Sequence, residues 1–178
     1  MILLVRHPAV ARAWAGRCYG VSDVGLSRAG AMQMHALLPA LVAWGPTQIV
    51  HSGLRRAAVL AEAVAKASGA PIAVDPRWRE RDFGAWEGRS WQAIYRATGN
   101  AMDGMIDAPD SFRPGGGETT SELAARAVAG CDALPAGRVL VVSHGGPIAA
   151  LLGSRAGAPP RDWLKLVPPT GGTARLRR

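Results

Sequence analysis

The sequence predicts an α/β protein, a three-layer α/β/α sandwich with a mostly parallel central sheet. One observation is that short apolar runs alternate with longer segments of helical period, which is typical of strands and helices packed in layers. Another is that the chain has 178 residues, 48% of them hydrophobic, enough to form one core. We therefore expect residues 1–178 to form a single domain.

The first half of the chain supplies three candidate strands and two candidate helices. Ser27 is suited to cap the first helix, because its hydroxyl can accept a hydrogen bond from a free N–H group. Gly45-Pro46 would stop that helix, and Gly69 would end the second. The strands are predicted over residues 1–6, 47–50 and 71–74, and the helices over 27–44 and 54–67.

The second half begins with an irregular region. Residues 75–117 are rich in glycine and proline and carry three of the six tryptophans, which predicts loops and short helices over a site. We expect Trp86 and Trp91 to pack this loop layer; the alternative is that they stack against a ring of the substrate. Beyond it, the patterns predict helices over 119–134 and 145–152, a strand over 138–142 and an edge strand over 173–176.

Composition limits the class of partner. The formal net charge of +8 predicts attraction to anions. No run interleaves lysine with aromatic residues, so we expect a small phosphorylated substrate and neither nucleic acid nor membrane as partner; the oligomeric state stays open. Cys18 and Cys131 are too few for a disulfide framework or a zinc site. The N-terminus shows no signal peptide or membrane span, which predicts a cytoplasmic protein.

Three of the four histidines directly follow candidate strands. These are His7, His51 and His144, and ligands of open parallel sheets bind at the carboxyl ends of strands. We therefore expect all three to point into one crevice, with the rings of His7 and His144 about 4 to 7 Å apart. A histidine at such a position is more often structural than catalytic, so its companions decide the assignment.

Positive charge accompanies these histidines. Arg6 precedes His7, and Gly145 opens a helix after His144, so N–H groups and the positive end of a helix dipole would face a ligand. Arg55 and Arg56 follow the second strand, and a guanidinium binds phosphate oxygens bidentately. The set predicts one imidazole that attacks phosphorus while the cations stabilise the equatorial oxygens. We expect no metal or other cofactor, because side chains and a helix supply the positive charge.

Five short motifs occur in order over nearly the whole chain. They are Arg6-His7, Ser52-x-Leu54-x-Arg56-Ala57, Glu80-x-x-Phe83-Gly84-x-Trp86-Glu87-Gly88, Gly117-Glu118-Thr119 and Val142-Ser143-His144-Gly145-Gly146. Together they resemble branch 1 of the histidine phosphatase superfamily, the phosphoglycerate mutase-like branch. The Tyr-Gly-x-x-Asp-x-x-Leu pattern at residues 19–26 is most similar to α-ribazole phosphatases.

The resemblance implies a phosphoglycerate mutase-like fold and a set of roles. It implies that His7 is the nucleophile, that Arg6, Arg56 and His144 bind phosphate, and that Glu80 is the proton donor. A leaving alkoxide needs a proton, and a carboxyl group near phosphate has its charged form disfavoured, which suits an acid that later acts as a base. By residues alone Glu87 and Asp82 are rivals for that role, and we expect Glu87 to be a capping or surface carboxylate.

Other positions support or depart from the family pattern. Glu118 is expected to hold loops together, with Arg126 as its partner or on a solvated helix face. Pro8 stands where the family usually has glycine and lacks an N–H that could bind phosphate, which would lower activity. His51-Ser52-Gly53 replaces the common Ser-Ser-Pro, and Leu60 stands where threonine is frequent. The residues leave open whether Arg55 or Arg56 enters the pocket; the family register favours Arg56.

The predicted function is hydrolysis of a phosphomonoester through a phosphohistidine intermediate, with α-ribazole 5′-phosphate as the leading named substrate. One alternative is a mutase acting on phosphoglycerate. The chain is short for that role, because such mutases generally carry longer insertions that exclude water. The other alternative is a phosphate-binding module with weak or lost turnover, for which Pro8 is the sole sequence indication.

Overall fold

The computed structural model describes residues 1–177, which contain a five-stranded sheet. Its strands are β1 (Ile2–Arg6), β2 (Gln48–His51), β3 (Ile72–Val74), β4 (Val139–Ser143) and β5 (Thr173–Leu176). Their order across the sheet is β3-β2-β4-β1-β5. The first four are parallel, and β5 pairs antiparallel with β1 at the edge. The mostly parallel sheet and the edge strand are thus confirmed.

The four helices predicted individually are present in the predicted order, with shorter helices between and after them. The α-helices are α1 (Arg28–Ala43), α2 (Arg55–Ser68), α3 (Trp91–Thr98), α4 (Gly104–Asp107), α5 (Thr120–Asp132), α6 (Gly145–Arg155) and α7 (Pro160–Trp163). Ser27 Oγ accepts a hydrogen bond from Gly30 N at 2.9 Å, so the predicted cap of α1 is confirmed. Gly69 ends α2 in the left-handed region, with φ of 72°. Helix α6 continues to Arg155, three residues beyond the predicted end.

Helices cover both faces of the sheet and complete the three layers. On one face, Leu3, Val5 and Leu140 pack against residues of α1 and α2. On the other, Ile2, Leu4 and other strand residues pack against α5 and α6. The predicted α/β/α sandwich is therefore confirmed. No helix within residues 1–177 is long and apolar enough to cross a membrane.

The irregular region forms a small cluster of its own beside the sheet. Trp86 is 5% exposed and packs with Cys18 and Ile94, and the partly buried Phe83 and Trp91 pack against them. The rings of Phe83 and Trp91 meet edge to face at 5.5 Å. The predicted packing role of Trp86 and Trp91 is confirmed.

Candidate active site

His7 lies at the carboxyl end of β1, next to β4. Its backbone N–H donates to Ser143 O at 2.9 Å, and its side chain is buried. The ring nitrogen Nδ1 lies 2.7 Å from Pro8 O. Because a carbonyl only accepts, Nδ1 carries the proton and Nε2 of the neutral ring holds a lone pair. The carbonyl of Pro8 thus fixes the tautomer of His7.

The surroundings of His7 keep it neutral. Burial lowers the pKa of His7 to about 3, with Arg56 and Arg6 acting in the same direction and the hydrogen bond to Pro8 opposing them. At physiological pH the Nε2 lone pair is therefore free of a proton. An unprotonated imidazole nitrogen is a nucleophile.

His144 lies beside His7, with the two ring centroids 5.1 Å apart, as predicted. Its Nδ1 accepts a hydrogen bond from Arg56 Nε at 3.1 Å, and its Nε2 lies 2.8 Å from Ser52 Oγ. Since a guanidinium only donates, the neutral ring carries its proton on Nε2 and donates to Ser52. Burial, and after it the charge of Arg56, lowers the pKa of His144 well below its ordinary value.

Arg56 is fully buried at the start of α2. Besides His144, its guanidinium donates to Ser22 O at 2.7 Å, Gly20 O at 2.6 Å and Tyr19 O at 3.3 Å. Arg55 is exposed, so Arg56 is the guanidinium that lies beside the paired histidines. Arg56 and His144 are not among the residues that line the cavity; Arg56 binds the loop at residues 19–22, and the ring of His144 packs beside His7. Their direct contact with phosphate stays a prediction.

Arg6 and Gly145 lie on the cavity wall near His7. Arg6 Nη1 donates to Pro168 O at 2.7 Å, whereas Arg6 Nε is buried and has no hydrogen-bond partner within residues 1–177. A buried donor without a partner is costly unless a ligand satisfies it. Gly145 is the first residue of α6, where N–H groups have no partner inside the helix. A Cβ on Gly145 would lie 3.3 Å from Arg6 Cζ, so the guanidinium and the helix start are adjacent.

Glu80 also lies on the wall of this cavity. Its Oε2 accepts from Gly146 N at 3.1 Å and its Oε1 from Arg81 N at 2.9 Å. A Cβ on Gly146 would lie 2.1 Å from Glu80 Oε1, so the carboxylate reaches the helix only because residue 146 is glycine. The structure thus brings Glu80 to the same helix start as Gly145.

The rival carboxylates lie elsewhere. Glu87 accepts hydrogen bonds from the backbone N–H groups of Val21, Ser22 and Phe83 and from the Ser22 hydroxyl. It therefore joins two loops, a structural role but not the capping or surface position that was expected. Asp82 is exposed and accepts from Gly84 N at 2.8 Å. Neither lines the cavity.

Glu118 and Arg126 form the predicted pair. Arg126 donates through Nε to Glu118 Oε2 at 2.9 Å and through Nη2 to Oε1 at 2.5 Å. Glu118 Oε1 also accepts from Asp82 N at 3.0 Å. The predicted loop-holding role of Glu118 is confirmed.

His51 does not join the other two histidines, so the expectation that it points into the crevice is wrong. Its Nδ1 accepts a hydrogen bond from Gly53 N at 3.2 Å, which turns the ring into the local bend after β2. Burial lowers the pKa of His51 from its ordinary value.

Within residues 1–177, no group of three or more histidine, cysteine or carboxylate side chains is placed to hold a metal ion.

The cavity has a volume of about 510 Å³. Besides Arg6, His7, Glu80 and Gly145, its wall includes Arg17, Tyr19, Arg81 and Asp103. The remaining surface is mostly apolar and comes from α3, α4, α5, α6 and the segment at α7. The sequence assigned none of these wall residues a role in the site. Tyr19 did lie in the pattern at residues 19–26, and Arg81 directly follows Glu80.

The fold and the paired histidines beside a cationic wall define a class of phosphate-handling enzymes. The histidine phosphatase superfamily (branch 1) model matches residues 2–178, and the chain belongs to this superfamily. The predicted family is therefore confirmed, and relatives of this chain carry the names of both phosphatases and phosphoglycerate mutases.

Individual relatives cover nearly all of the chain. A probable phosphoglycerate mutase from Yersinia enterocolitica is 32% identical over 169 residues, which are 93% of this chain and 79% of the relative. The structure of a mycobacterial glucosyl-3-phosphoglycerate phosphatase in complex with VO3 is 29% identical, with a TM-score of 0.84 and coverage of 97% of this chain and 90% of that one. The α-ribazole phosphatase of Shigella flexneri shares the fold, at 22% identity, a TM-score of 0.83 and coverage of 96% and 86%.

Proposed function

We propose that the protein is a phosphomonoester hydrolase that forms a phosphohistidine on His7. The observation that carries this is the state of the His7 ring. Its Nδ1 is held on Pro8 O, and its pKa of about 3 leaves Nε2 unprotonated at physiological pH. A fixed, neutral imidazole on a cavity wall needs no separate base to attack phosphorus.

The neighbours of His7 suit a phosphoryl group. The buried Nε of Arg6 lacks a partner within residues 1–177, and the N–H of Gly145, the first residue of α6, has no partner inside the helix. Both would bind equatorial oxygens as the charge on them redistributes in the transition state. The neutral ring of His144 packs beside His7, and Arg56 adds a positive charge near both rings.

The first step exchanges one bond at phosphorus for another. Nε2 of His7 forms the P–N bond as the P–O bond to the alcohol breaks, and Glu80 gives its proton to the leaving alkoxide. In the second step the Glu80 carboxylate takes a proton from water, the hydroxide attacks phosphorus, and the P–N bond breaks. The products are an alcohol and inorganic phosphate, with His7 and Glu80 restored.

A phosphoglycerate mutase is the second candidate, favoured by the name of the relative from Yersinia enterocolitica. A mutase returns the phosphoryl group to glycerate, whereas a hydrolase gives it to water. With phosphoglycerate as substrate, we expect release of inorganic phosphate and no isomeric phosphoglycerate. Isomer formed faster than phosphate would replace the hydrolase with the mutase.

The weak phosphate-binding module is the third candidate. Turnover of p-nitrophenyl phosphate by the wild-type protein, lost in His7→Ala, separates an enzyme from such a module. We propose α-ribazole 5′-phosphate as a substrate to assay in the same series, because its aromatic base would fit an apolar cavity. Action in the cytoplasm stays a prediction.

A further inference from the structure

The cavity is much larger than a phosphoryl group requires. Its volume of about 510 Å³ falls in the range of sites that enclose a whole small organic molecule. The wall away from Arg6 and Glu80 includes six apolar side chains, which we call the leaving-group wall. They are Trp91, Met102, Ile106, Leu123, Trp163 and Leu164.

Trp163 of α7 presents only apolar surface to the cavity, because its polar N–H group is already hydrogen-bonded within the protein. Trp163 Nε1 donates to Ala158 O at 2.7 Å, so its indole N–H is not available to a ligand. A Cβ on Gly153 would lie 2.2 Å from Trp163, so the indole packs directly on α6. Leu123 and Ala150, both buried, lie in the same cluster. What Trp163 offers the cavity is hydrocarbon surface.

We propose that the enzyme prefers phosphomonoesters whose alcohol carries a bulky apolar or aromatic group. This rests on the proposed function, because it takes the phosphoryl end to lie at His7. A small charged alcohol such as glycerate would leave the leaving-group wall in contact with water. A phenyl group would remove apolar surface from water on both sides, which is favourable by about 25 cal/mol per Å².

Binding of phosphonates tests the preference without turnover, because their C–P bond is not hydrolysed. We compare phenethylphosphonate with ethylphosphonate by calorimetry on the wild-type protein. We expect the phenethyl compound to bind about 10-fold more tightly or better, given the area of a phenyl ring. Equal affinities for the two phosphonates would contradict the preference for bulky alcohols and leave the proposed function intact. If neither phosphonate bound, the preference and the proposed function would both be contradicted.

Two variants of similarly exposed apolar residues, one on the cavity wall and one away from it, test whether the phenyl group contacts the leaving-group wall. Leu164 lines the cavity and is 70% exposed, while Met32 lies on α1 and is 67% exposed. Both substitutions to Gln should leave folding unchanged, since neither side chain is in the core. Leu164→Gln should reduce the phenethyl preference by about threefold or more, and Met32→Gln should not. An unchanged preference in Leu164→Gln together with Met102→Ala would contradict the assignment of the wall.

A separate observation concerns the segment that presents Glu80. Arg126 Nη1 donates to Arg77 O at 2.7 Å and to Arg79 O at 2.6 Å, and Nη2 donates to Glu80 O at 3.0 Å. Glu118, its ion-pair partner, accepts from the Asp82 N–H on the other side of Glu80. One partly buried ion pair thus fixes the backbone on both sides of the carboxylate.

We infer that Arg126, together with Glu118, positions Glu80 for proton transfer, an inference that rests on Glu80 as the proton donor. A planar guanidinium is needed, because one ammonium cannot reach three carbonyls and a carboxylate in this fork. The consequence is specific. Displacing Glu80 slows esters with poor leaving groups more than esters with good ones.

The test compares ethyl phosphate with p-nitrophenyl phosphate. Arg126→Lys should lower kcat for ethyl phosphate about 10-fold more than for p-nitrophenyl phosphate. It should add no further selectivity to Glu80→Gln. Arg113→Gln is the control, because Arg113 is half exposed and pairs with Glu122, a residue of the same helix as Arg126. An equal loss for both substrates would make Arg126 merely structural.

Discussion

Arg56 Nε donates a hydrogen bond to His144 Nδ1 over 3.1 Å, with both side chains fully buried. The bond fixes the tautomer of His144, whose Nε2 proton then goes to Ser52. The other Arg56 donors bind the carbonyls of Tyr19, Gly20 and Ser22. One guanidinium therefore connects the second histidine with the loop that borders the cavity.

Replacing Arg56 should cost stability as well as activity. Arg56→Met leaves buried carbonyls without donors, so we expect the free energy of unfolding to fall by about 3 kcal/mol or more. Urea denaturation measures this. Arg55→Met is the matched control, because that neighbouring side chain is exposed; a similar loss there would show that Arg56 has no special structural role.

Glu80→Gln should make turnover depend on the leaving group. Without a proton donor, hydrolysis of ethyl phosphate should slow by about 10²-fold or more, and p-nitrophenyl phosphate should suffer less. Steady-state kinetics with both substrates measure the difference.

Two further variants control the assignment of Glu80. Gly146→Ala should show the same selectivity, because its Cβ would displace the Glu80 carboxylate. Glu87→Gln should instead lower stability, since Glu87 joins two loops. Equal slowing of both substrates by Glu80→Gln, with selective loss in Glu87→Gln, would move the acid to Glu87.

Stability should fall as the pH is lowered. The folded pKa of His7 is about 3 against an ordinary value of 6.5, so the unfolded chain binds more protons between these values and stability rises with pH. For His7 alone, the loss on going from pH 7.5 to pH 5 is about 2 kcal/mol. Urea midpoints at the two pH values measure it, and His7→Asn should reduce the difference. The same pH dependence in His7→Asn would be inconsistent with a buried neutral His7.

Activity should not require a metal ion. Arg6 and the start of α6 provide positive charge beside His7, so treatment with a chelator should leave turnover of p-nitrophenyl phosphate unchanged. Loss of activity on chelation, restored by magnesium or zinc, would contradict this.

Local patterns were sufficient to predict most of the fold. Ser27 and Gly69 mark helix ends through their own backbone and side-chain chemistry, and the apolar run before His144 predicts a central strand. In parallel sheets, ligands bind at the carboxyl ends of the strands, so the histidines that follow two such strands are expected at one edge of the sheet. Adjacency of His7 and His144 could therefore be predicted.

Contacts between distant loops could not be predicted in this way. Arg56 reaches carbonyls more than thirty residues away, and backbone carbonyls are the same in every sequence. His51 follows a strand, as a site histidine would, yet its ring accepts a hydrogen bond from the Gly53 N–H and does not point into the cavity. The leaving-group wall combines residues from several short elements whose packing has no sequence signature.

The most direct test is whether His7 becomes phosphorylated. A radiolabelled phosphomonoester is mixed with the protein, the reaction is quenched in alkali within a turnover, and the labelled peptide is identified. We predict acid-labile label on His7, and neither label nor turnover in His7→Ala. Label on another residue, or turnover that persists in His7→Ala, would contradict the proposed mechanism.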